Sequence, residues 1–194
     1  MERKDLPPGA KTIMDICSFK KKLYPDGSIN KNKSRLCAHG GHKIWGQYYW
    51  NTYAPIVTWD SVRLILVVAK IHNIDTKSID FVLAFPEADL TIPLHMELPV
   101  GVTPIDETDS NRRRYVFRPN KYLYGLKSSG HNWFENIRSG LTYKIFFQCQ
   151  VDKCVFYRDG CIILTYVDDW IIIGKSMEIV DSIIYSLCDG YEYF

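Results

Sequence analysis

The sequence lacks the features that mark several broad classes of protein. It has no apolar stretch of the roughly 18–20 residues that a bilayer-spanning helix needs, and its six cysteines include no Cys-x-x-Cys pair. It contains no internal repeat, and the start from Met1 to Pro8 lacks the apolar core of a secretory signal. We therefore expect an intracellular protein without a membrane partner, whose cysteines are small buried hydrophobic residues.

Length and composition are those of a globular domain whose charge is unevenly distributed. The 194 residues are 46% hydrophobic and 14% aromatic, enough for one substantial core. Residues 1–43 carry 10 Lys and Arg against 4 Asp and Glu, whereas the remainder carries 14 against 18. A basic lobe beside an acidic remainder suits a polyanion gripped on one side and a metal bound on the other. An ordinary solvated surface is the alternative.

Two adjacent aspartates interrupt an otherwise apolar run from Cys161 to Gly174. Its β-branched and aromatic residues predict a strand, a turn and a second strand, with Asp168 and Asp169 at the tip. Neighbouring carboxylates repel each other, and a divalent cation would remove that penalty. Asp80 lies in a similar strand-like run from Ile79 to Phe85. The three acids predict a site for two Mg²⁺ ions, roughly 3.5–4 Å apart, and the alternative is a solvated turn.

The remaining pattern predicts an α+β fold in which helices cover one face of an antiparallel sheet. A hairpin is expected around the Pro25-Asp-Gly27 turn. A helix from Thr58 to about Asn73 is apolar nearly all round and should be buried. Further helices are predicted over Ser128–Tyr143 and Met177–Cys188, and a hairpin from Cys154 to Val167 is extended by the aspartate turn into a three-stranded meander.

The segment Tyr166-Val-Asp-Asp169 has the Y-x-D-D form of reverse transcriptases, and the resemblance extends well beyond it. From about Lys4 to Cys188 the chain resembles the reverse transcriptase of Ty1/copia-type retrotransposons. The matching blocks occur in family order: Leu6-Pro-Pro-Gly9, Tyr24-Pro-Asp-Gly27, Lys33-Ser-Arg-Leu36, Thr52-Tyr-Ala-Pro-Ile-Val57, Ile79-Asp-Phe-Val-Leu-Ala-Phe85, Leu123-Tyr-Gly-Leu-Lys127 with Trp133, Asp152-Lys-Cys-Val-Phe156 and Tyr166-Val-Asp-Asp169.

The resemblance implies a right-hand polymerase with fingers and palm over residues 4–188, the thumb missing, and a residual tail at 189–194. Such an RNA-directed DNA polymerase adds dNTPs to a primer 3′-hydroxyl on an RNA or DNA template. Asp80 and Asp168 resemble the carboxylates that hold both Mg²⁺ ions, and Asp169 resembles a third, supporting carboxylate. Mn²⁺ is expected to substitute for Mg²⁺.

The resemblance also assigns residues to the nucleotide. Phe85 matches a bulky gate against a ribose 2′-hydroxyl, and a core phenylalanine is the alternative. Lys33 and Arg35 lie in the block that contacts the incoming triphosphate, which the planar fork of Arg suits best. A solvated strand face is the alternative for this pair.

A loop and the motif tyrosine complete the implied site. Tyr124 and Gly125 resemble the segment beneath the templating base pair, where glycine lets backbone approach the nucleotide. Lys127 and Tyr166 are expected to contact nucleic acid.

Two hypotheses about activity remain open. The family normally belongs to a Gag-Pol-type polyprotein with protease, integrase and RNase H, which works in a cytoplasmic virus-like particle. This sequence ends at Phe194, about one helix past the motif, and Gly130-His131 stands where Pro-Arg is common. The chain is therefore either a catalytic core or a truncated non-catalytic remnant that at most binds nucleic acid. A metal-dependent hydrolase is disfavoured because no His or Glu is placed as an obvious base.

Overall fold

The computed structural model describes residues 1–42, 45–46, 48–102 and 114–189. The chain forms two compact units: unit 1 comprises Met1–Asn51 and Asp89–Ser129, and unit 2 comprises Thr52–Ala88 and the chain from Gly130 onward. Residues 103–113 lie outside the described residues, as does the tail beyond Asp189.

The described residues form ten strands and four α-helices. In chain order they are β1 (Thr12–Ile13), β2 (Asp15–Leu23), β3 (Ile29–Ala38), α1 (Trp59–Ile71), β4 (Asp75–Asp80), α2 (Ala84–Glu87), β5 (His95–Glu97), β6 (Val116–Phe117), α3 (Ser129–Tyr143), β7 (Phe147–Gln148), β8 (Val155–Arg158), β9 (Cys161–Tyr166), β10 (Asp169–Gly174) and α4 (Met177–Cys188). None of the described helices is long and apolar enough to cross a membrane.

Unit 1 contains two small sheets. Strands β2 and β3 form a long antiparallel hairpin around the predicted turn, and β1, β5 and β6 form a second sheet. The hairpin turn closes through its own residues, because Gly27 adopts φ +85° and the Asp26 carboxylate accepts hydrogen bonds from the Ser28 amide (2.9 Å) and hydroxyl (2.6 Å). The predicted hairpin is confirmed.

Unit 2 is built on a five-stranded antiparallel sheet with the order β4-β10-β9-β8-β7. The predicted meander of β8, β9 and β10 lies at its centre, so that prediction is confirmed. The prediction that helices cover one face only is wrong. On one face Trp170 and Ile172 pack with residues of α3 and α4, and on the other Ile171 and Ile173 pack with α1. Consecutive apolar residues along β10 make both faces hydrophobic, so both require cover.

Helix α1 begins where the sequence predicts, after Thr58, whose hydroxyl accepts a hydrogen bond from the Ser61 amide (3.2 Å). The prediction that α1 is buried is wrong, because Ala69 is its only buried residue. Val62 and Ile65 pack toward the sheet, whereas the opposite face of the helix leaves its aliphatic side chains exposed. A helix that packs on a sheet buries only one stripe of its own surface, whatever the composition of its other faces.

The strand that carries Asp80 is shorter than the apolar run predicts. β4 ends at Asp80, and residues 84–87 form the one-turn helix α2, which contains Phe85. β4 is an edge strand paired only with β10, and that partner begins at Asp169, opposite Asp80. Beyond Asp80 the backbone therefore has no full ladder to join, and the strand prediction over 81–85 is wrong.

The cysteines are only partly the buried hydrophobes that the sequence predicts. All six are free thiols, of which Cys154 and Cys161 are buried whereas Cys17 and Cys188 are exposed. Burial raises the pKa of the Cys154 and Cys161 thiols to about 11. These two are inert core residues at neutral pH.

Candidate active site

Two of the three predicted acids face each other across adjacent strands. Asp80 is the last residue of β4 and lies opposite Asp169, the first residue of β10. The Phe81 amide donates to the Asp168 carbonyl (2.9 Å) just beyond this pair. The bond identifies the aspartates as a non-hydrogen-bonded pair, the position in which opposing side chains lie closest. Opposing like charges destabilise a sheet, so a neutralising cation would be favourable here.

The motif tyrosine extends this pair into a row. Tyr166, the last residue of β9, lies opposite Asp169, so Tyr166, Asp169 and Asp80 occupy neighbouring positions across three strands at one end of the sheet. All three are exposed. A cavity of about 320 Å³, lined mainly by apolar side chains of α1, β9 and β10, adjoins Tyr166 and Asp169.

The aspartate turn has a strained backbone. Val167 and Asp168 are the two residues that connect Tyr166 to Asp169, and Val167 adopts φ +52°. A β-branched residue rarely occupies this left-handed region, at a cost on the order of 1–3 kcal/mol. The carbonyl of Val167 accepts hydrogen bonds from the indole nitrogens of Trp133 (3.0 Å) and Trp170 (3.3 Å).

An aromatic cluster lies directly behind the turn. Phe81, which follows Asp80, packs edge-on against Trp133 with ring centroids 5.3 Å apart and against Trp170 at 4.8 Å. All three side chains are almost completely buried. From sequence, Trp133 is predicted as helix core, and the structure confirms its burial. The bond from its indole to the turn is a feature that the helical pattern could not reveal.

Phe85 lies in α2 and is partly buried. It packs against the same core as Trp133 and Trp170 and shares a small cavity of about 50 Å³ with Trp133 and Val167. This placement puts Phe85 beside the residues that support the aspartate turn. It also satisfies the alternative interpretation of Phe85 as a core residue.

In unit 1 the structure brings together Arg35 and the loop at Tyr124. The Arg35 guanidinium lies over the Tyr124 ring, 5.2 Å from its centroid. The Tyr124 carbonyl accepts a hydrogen bond from the Ala38 amide (2.8 Å). Gly125 has φ +87°, and a Cβ there would collide with the Ala38 carbonyl. Glycine is therefore required for the loop to approach the end of β3.

Two further predicted residues also lie in unit 1. Lys33 is two residues before Arg35 on β3 and is therefore on the same face of the hairpin, opposite Lys20. Lys127 donates to the Tyr49 hydroxyl (3.1 Å), and its ammonium lies 5.1 Å from the centroid of the Tyr49 ring. Lys127 is exposed.

The acids have the chemistry that Mg²⁺ selects. Hard divalent cations prefer carboxylate oxygens, and Asp80, Asp168 and Asp169 supply three carboxylates within one turn and one strand pair. In the part of the chain that the structure describes, no three His, Cys, Asp or Glu side chains converge closely enough to form a ready metal cage. The acids thus fit the metal by type and by backbone position.

Sequence reasoning missed the structural role of Asp152. This buried carboxylate accepts hydrogen bonds from the Thr58 amide (2.9 Å), the Thr58 hydroxyl (3.1 Å), the Ser61 hydroxyl (2.6 Å) and the Cys154 amide (3.0 Å). Burial alone would raise the pKa of Asp152, but these hydrogen bonds hold the pKa below its ordinary value. Asp152 therefore ties the start of α1 to the segment before β8. The capping pattern at Thr58 reveals the donors, but a partner 94 residues away leaves no local signal.

Comparison with known proteins places this chain in a family. The sequence model of the reverse transcriptase (RNA-dependent DNA polymerase) family matches residues 2–192. The "Retrovirus-related Pol polyprotein from transposon RE2" of Arabidopsis thaliana is 33% identical over 175 residues, which are 88% of this chain and 12% of that protein. The "Retrovirus-related Pol polyprotein from transposon TNT 1-94" of Nicotiana tabacum is 28% identical over 91% of this chain and 13% of its own length.

A yeast relative extends the comparison. The "Truncated transposon Ty1-A Gag-Pol polyprotein" of Saccharomyces cerevisiae is 28% identical over 98% of this chain and 15% of its own length. No solved structure matches the chain. The chain belongs to the reverse transcriptase family and is a reverse transcriptase domain of the kind found in Ty1/copia-type Pol polyproteins. It spans less than a sixth of the length of each of these three relatives.

Proposed function

We propose that this chain is the catalytic core of an RNA-directed DNA polymerase, which adds dNTPs to a primer 3′-hydroxyl. The observation that carries the proposal is the opposition of Asp80 and Asp169 at the end of two paired strands, with Asp168 in the adjoining turn. Family membership over residues 2–192 supports it. In this proposal unit 2 corresponds to the palm, and the β2–β3 hairpin of unit 1 corresponds to the fingers.

The acids would act as metal ligands. Two Mg²⁺ ions held by Asp80 and Asp168, with Asp169 in support, would lower the pKa of the primer 3′-hydroxyl and neutralise charge on the triphosphate and the leaving pyrophosphate. The carboxylates themselves contribute position and fixed negative charge. Because phosphoryl transfer demands little covalent chemistry from protein, positioning and charge compensation supply most of the rate.

Unit 1 would contribute the groups that recognise the triphosphate. Arg35 presents a planar guanidinium suited to bidentate phosphate binding, and its position over Tyr124 restricts its freedom before the nucleotide binds. Lys33 adds a second positive charge on the same face of β3. Gly125 keeps the loop backbone beside β3 free of a side chain.

Three further residues would contact substrates. Phe85 would discriminate against a ribose 2′-hydroxyl by its bulk, in keeping with its place beside Trp133 and Val167. Exposed Tyr166, next to Asp169 in the row of acids, would contact the primer–template duplex. Lys127 would bind nucleic acid through its charge, since phosphate contacts dominate such affinity.

The wider context of the domain is also part of the proposal. The three relatives are named as Pol or Gag-Pol polyproteins, and this chain matches only a fraction of each. We infer that the domain works within such a polyprotein, beside protease, integrase and RNase H, in a cytoplasmic particle. Residues 4–188 would form the polymerase domain, with 189–194 as a tail.

Primer extension on poly(rA)/oligo(dT) with Mg²⁺ or Mn²⁺ tests the proposal. Asp168→Asn and Asp80→Asn should each lower the extension rate at least about 100-fold, because each removes a fixed charge from the reacting centre. Asp181→Asn is the matched control, since the Asp181 carboxylate is exposed and forms an ion pair with Lys77 (2.9 Å).

The alternative of a non-catalytic remnant predicts a different result. The wild-type chain would bind the duplex in a salt-sensitive, metal-independent manner and would extend no primer under either metal. That outcome would reject the polymerase proposal and leave a nucleic-acid-binding domain.

A further inference from the structure

The backbone carbonyl of Val167 is the point where two tryptophans from separate elements meet. Trp133 comes from α3 and Trp170 from β10, and both indole nitrogens donate to this oxygen, at 3.0 and 3.3 Å. A carbonyl oxygen has two lone pairs, so it can accept both bonds. The two donors therefore use the full acceptor capacity of a single atom in the aspartate turn.

This carbonyl needs such donors because of its place in the turn. It belongs to the peptide between Val167 and Asp168, the two loop residues of the β9–β10 hairpin. The ladder bonds of a hairpin run between the flanking strands, so the central peptide of a two-residue loop obtains no ladder partner. A buried backbone acceptor left unsatisfied is costly. The two indoles supply the bonds that the sheet cannot.

The same bonds oppose the strain at Val167. Its positive φ is unfavourable for a β-branched residue, and the turn would relax if nothing held the central peptide in this orientation. The two hydrogen bonds from the indoles favour this orientation and so oppose the relaxation. Because both indoles are almost completely buried, neither can follow a relaxing carbonyl toward solvent.

The support reaches both strands that carry the acids. Phe81 packs against both indoles, and its own amide donates to the Asp168 carbonyl. Movement of the turn would therefore be transmitted to the end of β4, where Asp80 lies. Trp133, Trp170 and Phe81 thus form one buried aromatic cluster that contacts both the turn and the residue after Asp80.

We propose that Trp133 and Trp170 are positioning residues that hold the strained Val167 turn and thereby keep Asp168 and Asp169 in register with Asp80 for metal binding. This inference rests on the proposed function, since it gives the turn a purpose at the metal site. Residues that orient metal ligands without touching the metal typically alter affinity about 10–100-fold when changed.

Replacement of each tryptophan by β-(3-benzothienyl)alanine tests the inference in the full chain. This isostere keeps the shape of the indole and exchanges the N–H for sulfur, so only the donor is lost and packing is preserved. The matched control is the same replacement at Trp45, whose indole also donates to a backbone carbonyl, that of Trp50 (3.0 Å). Two quantities are measured: the Mn²⁺ dissociation constant by calorimetry, and the exchange rate of the Phe81 amide without metal.

If the wild-type chain binds Mn²⁺, the dissociation constants of the variants test whether the tryptophans position the metal ligands. We expect replacement at 133 or 170 to weaken binding at least about tenfold, with the Trp45 replacement unchanged. Unchanged affinity at both 133 and 170 would overturn the inference and leave the proposed function standing.

If the wild-type chain binds no Mn²⁺, the proposed function fails. The exchange rate of the Phe81 amide then tests whether the tryptophans hold the turn. Faster exchange at Phe81 after replacement at 133 or 170, relative to the Trp45 control, would support their role in holding the turn. Exchange at the wild-type rate in both would overturn that role.

Discussion

The β2–β3 hairpin and the β8–β10 meander are both strand–turn–strand structures, yet they differ in what holds them in place. In the hairpin most side chains of both strands are exposed. In the meander, successive residues of β10 alternate between two hydrophobic clusters on opposite faces of the sheet. Lysine-rich strands leave the hairpin on the surface, whereas unbroken apolar strands require helices on both sides.

The two turns differ in the same way. The hairpin turn is self-sufficient, because Gly27 tolerates a positive φ and Asp26 satisfies the nearby amide. The turn at Val167 places a β-branched residue in the left-handed region and depends on indoles from elsewhere in the unit. The hairpin turn is therefore held by local contacts alone. The turn between Tyr166 and Asp169 is held by side chains from distant parts of the chain.

The largest contrast is expected from one isoleucine in each region. Ile172→Ala on β10 should lower the free energy of unfolding by about 2–5 kcal/mol, because Ile172 is fully buried and a cavity would remain. Ile29→Ala on β3 should change it by less than about 0.5 kcal/mol, because Ile29 is 55% exposed. Denaturant titration of both variants measures the difference. Equal losses would mean that the hairpin is packed as tightly as the meander.

The next contrast concerns two acids. Asp152→Asn should cost about 3 kcal/mol at pH 7, because it replaces an acceptor of several hydrogen bonds with a group that partly donates. Asp26→Asn, in the exposed hairpin turn, should cost much less. Equilibrium unfolding of each variant at pH 7 tests this order.

The pH dependence of unfolding sharpens the Asp152 prediction. The folded pKa of Asp152 is lowered, so its stabilisation is complete above the ordinary carboxyl value of about 3.9 and is lost as the pH falls through the folded pKa. The wild-type chain should therefore lose stability below about pH 4 more steeply than Asp152→Asn. Parallel curves would contradict this role.

Substitutions at two glycines distinguish the cost of an unfavourable φ from the cost of a steric clash with neighbouring backbone. Gly125→Ala should lower stability by about 2 kcal/mol, because the new Cβ meets the Ala38 carbonyl in addition to an unfavourable φ. Gly27→Ala adds only the φ penalty of about 1 kcal/mol, since nothing lies within 4 Å of its added Cβ. Amide exchange along β3 measures both effects. Equal exchange rates in the two variants would contradict the claim that the close approach to Ala38 requires glycine at position 125.

The smallest effect should come from the face of the hairpin that we propose binds the nucleotide. Arg35→Ala should raise KM for the incoming dNTP about tenfold, equivalent to about 1.4 kcal/mol, with little change in kcat or in unfolding. Lys21→Ala, an exposed lysine on the partner strand, is the control. Steady-state kinetics that show the same KM for both variants would assign Arg35 to a solvated strand face.

Local features of the fold could be predicted from the sequence. Helix α4 spans the predicted residues 177–188, and the turn predicted at Asp168-Asp169 lies one residue earlier, at Val167-Asp168. Both depend on residues that are close neighbours in the chain. The residues of the candidate site could also be identified from the sequence, because Asp80 and the aspartate pair are recognisable as charges within apolar runs.

Long-range features could not be predicted in this way. The apolar composition of α1 indicates burial, but only the sheet beneath it decides which stripe is covered. The end of β4 at Asp80 depends on where its partner β10 begins, about 90 residues later. The hydrogen bonds from Thr58 to Asp152 and from Trp133 to Val167 likewise join segments that are far apart in the chain. No local sequence pattern in either segment indicates its partner.

The most direct test of the central claim is a Mn²⁺ titration followed by electron paramagnetic resonance in the presence of dNTP and primer–template. The claim is that Asp80 on β4 and the acids of the β9–β10 turn form one metal site. It predicts two bound ions per wild-type chain and at least about tenfold weaker binding in Asp80→Asn and in Asp168→Asn alike, with Asp181→Asn unchanged. Wild-type affinity in Asp80→Asn would contradict it, because the two strands would then not share a metal.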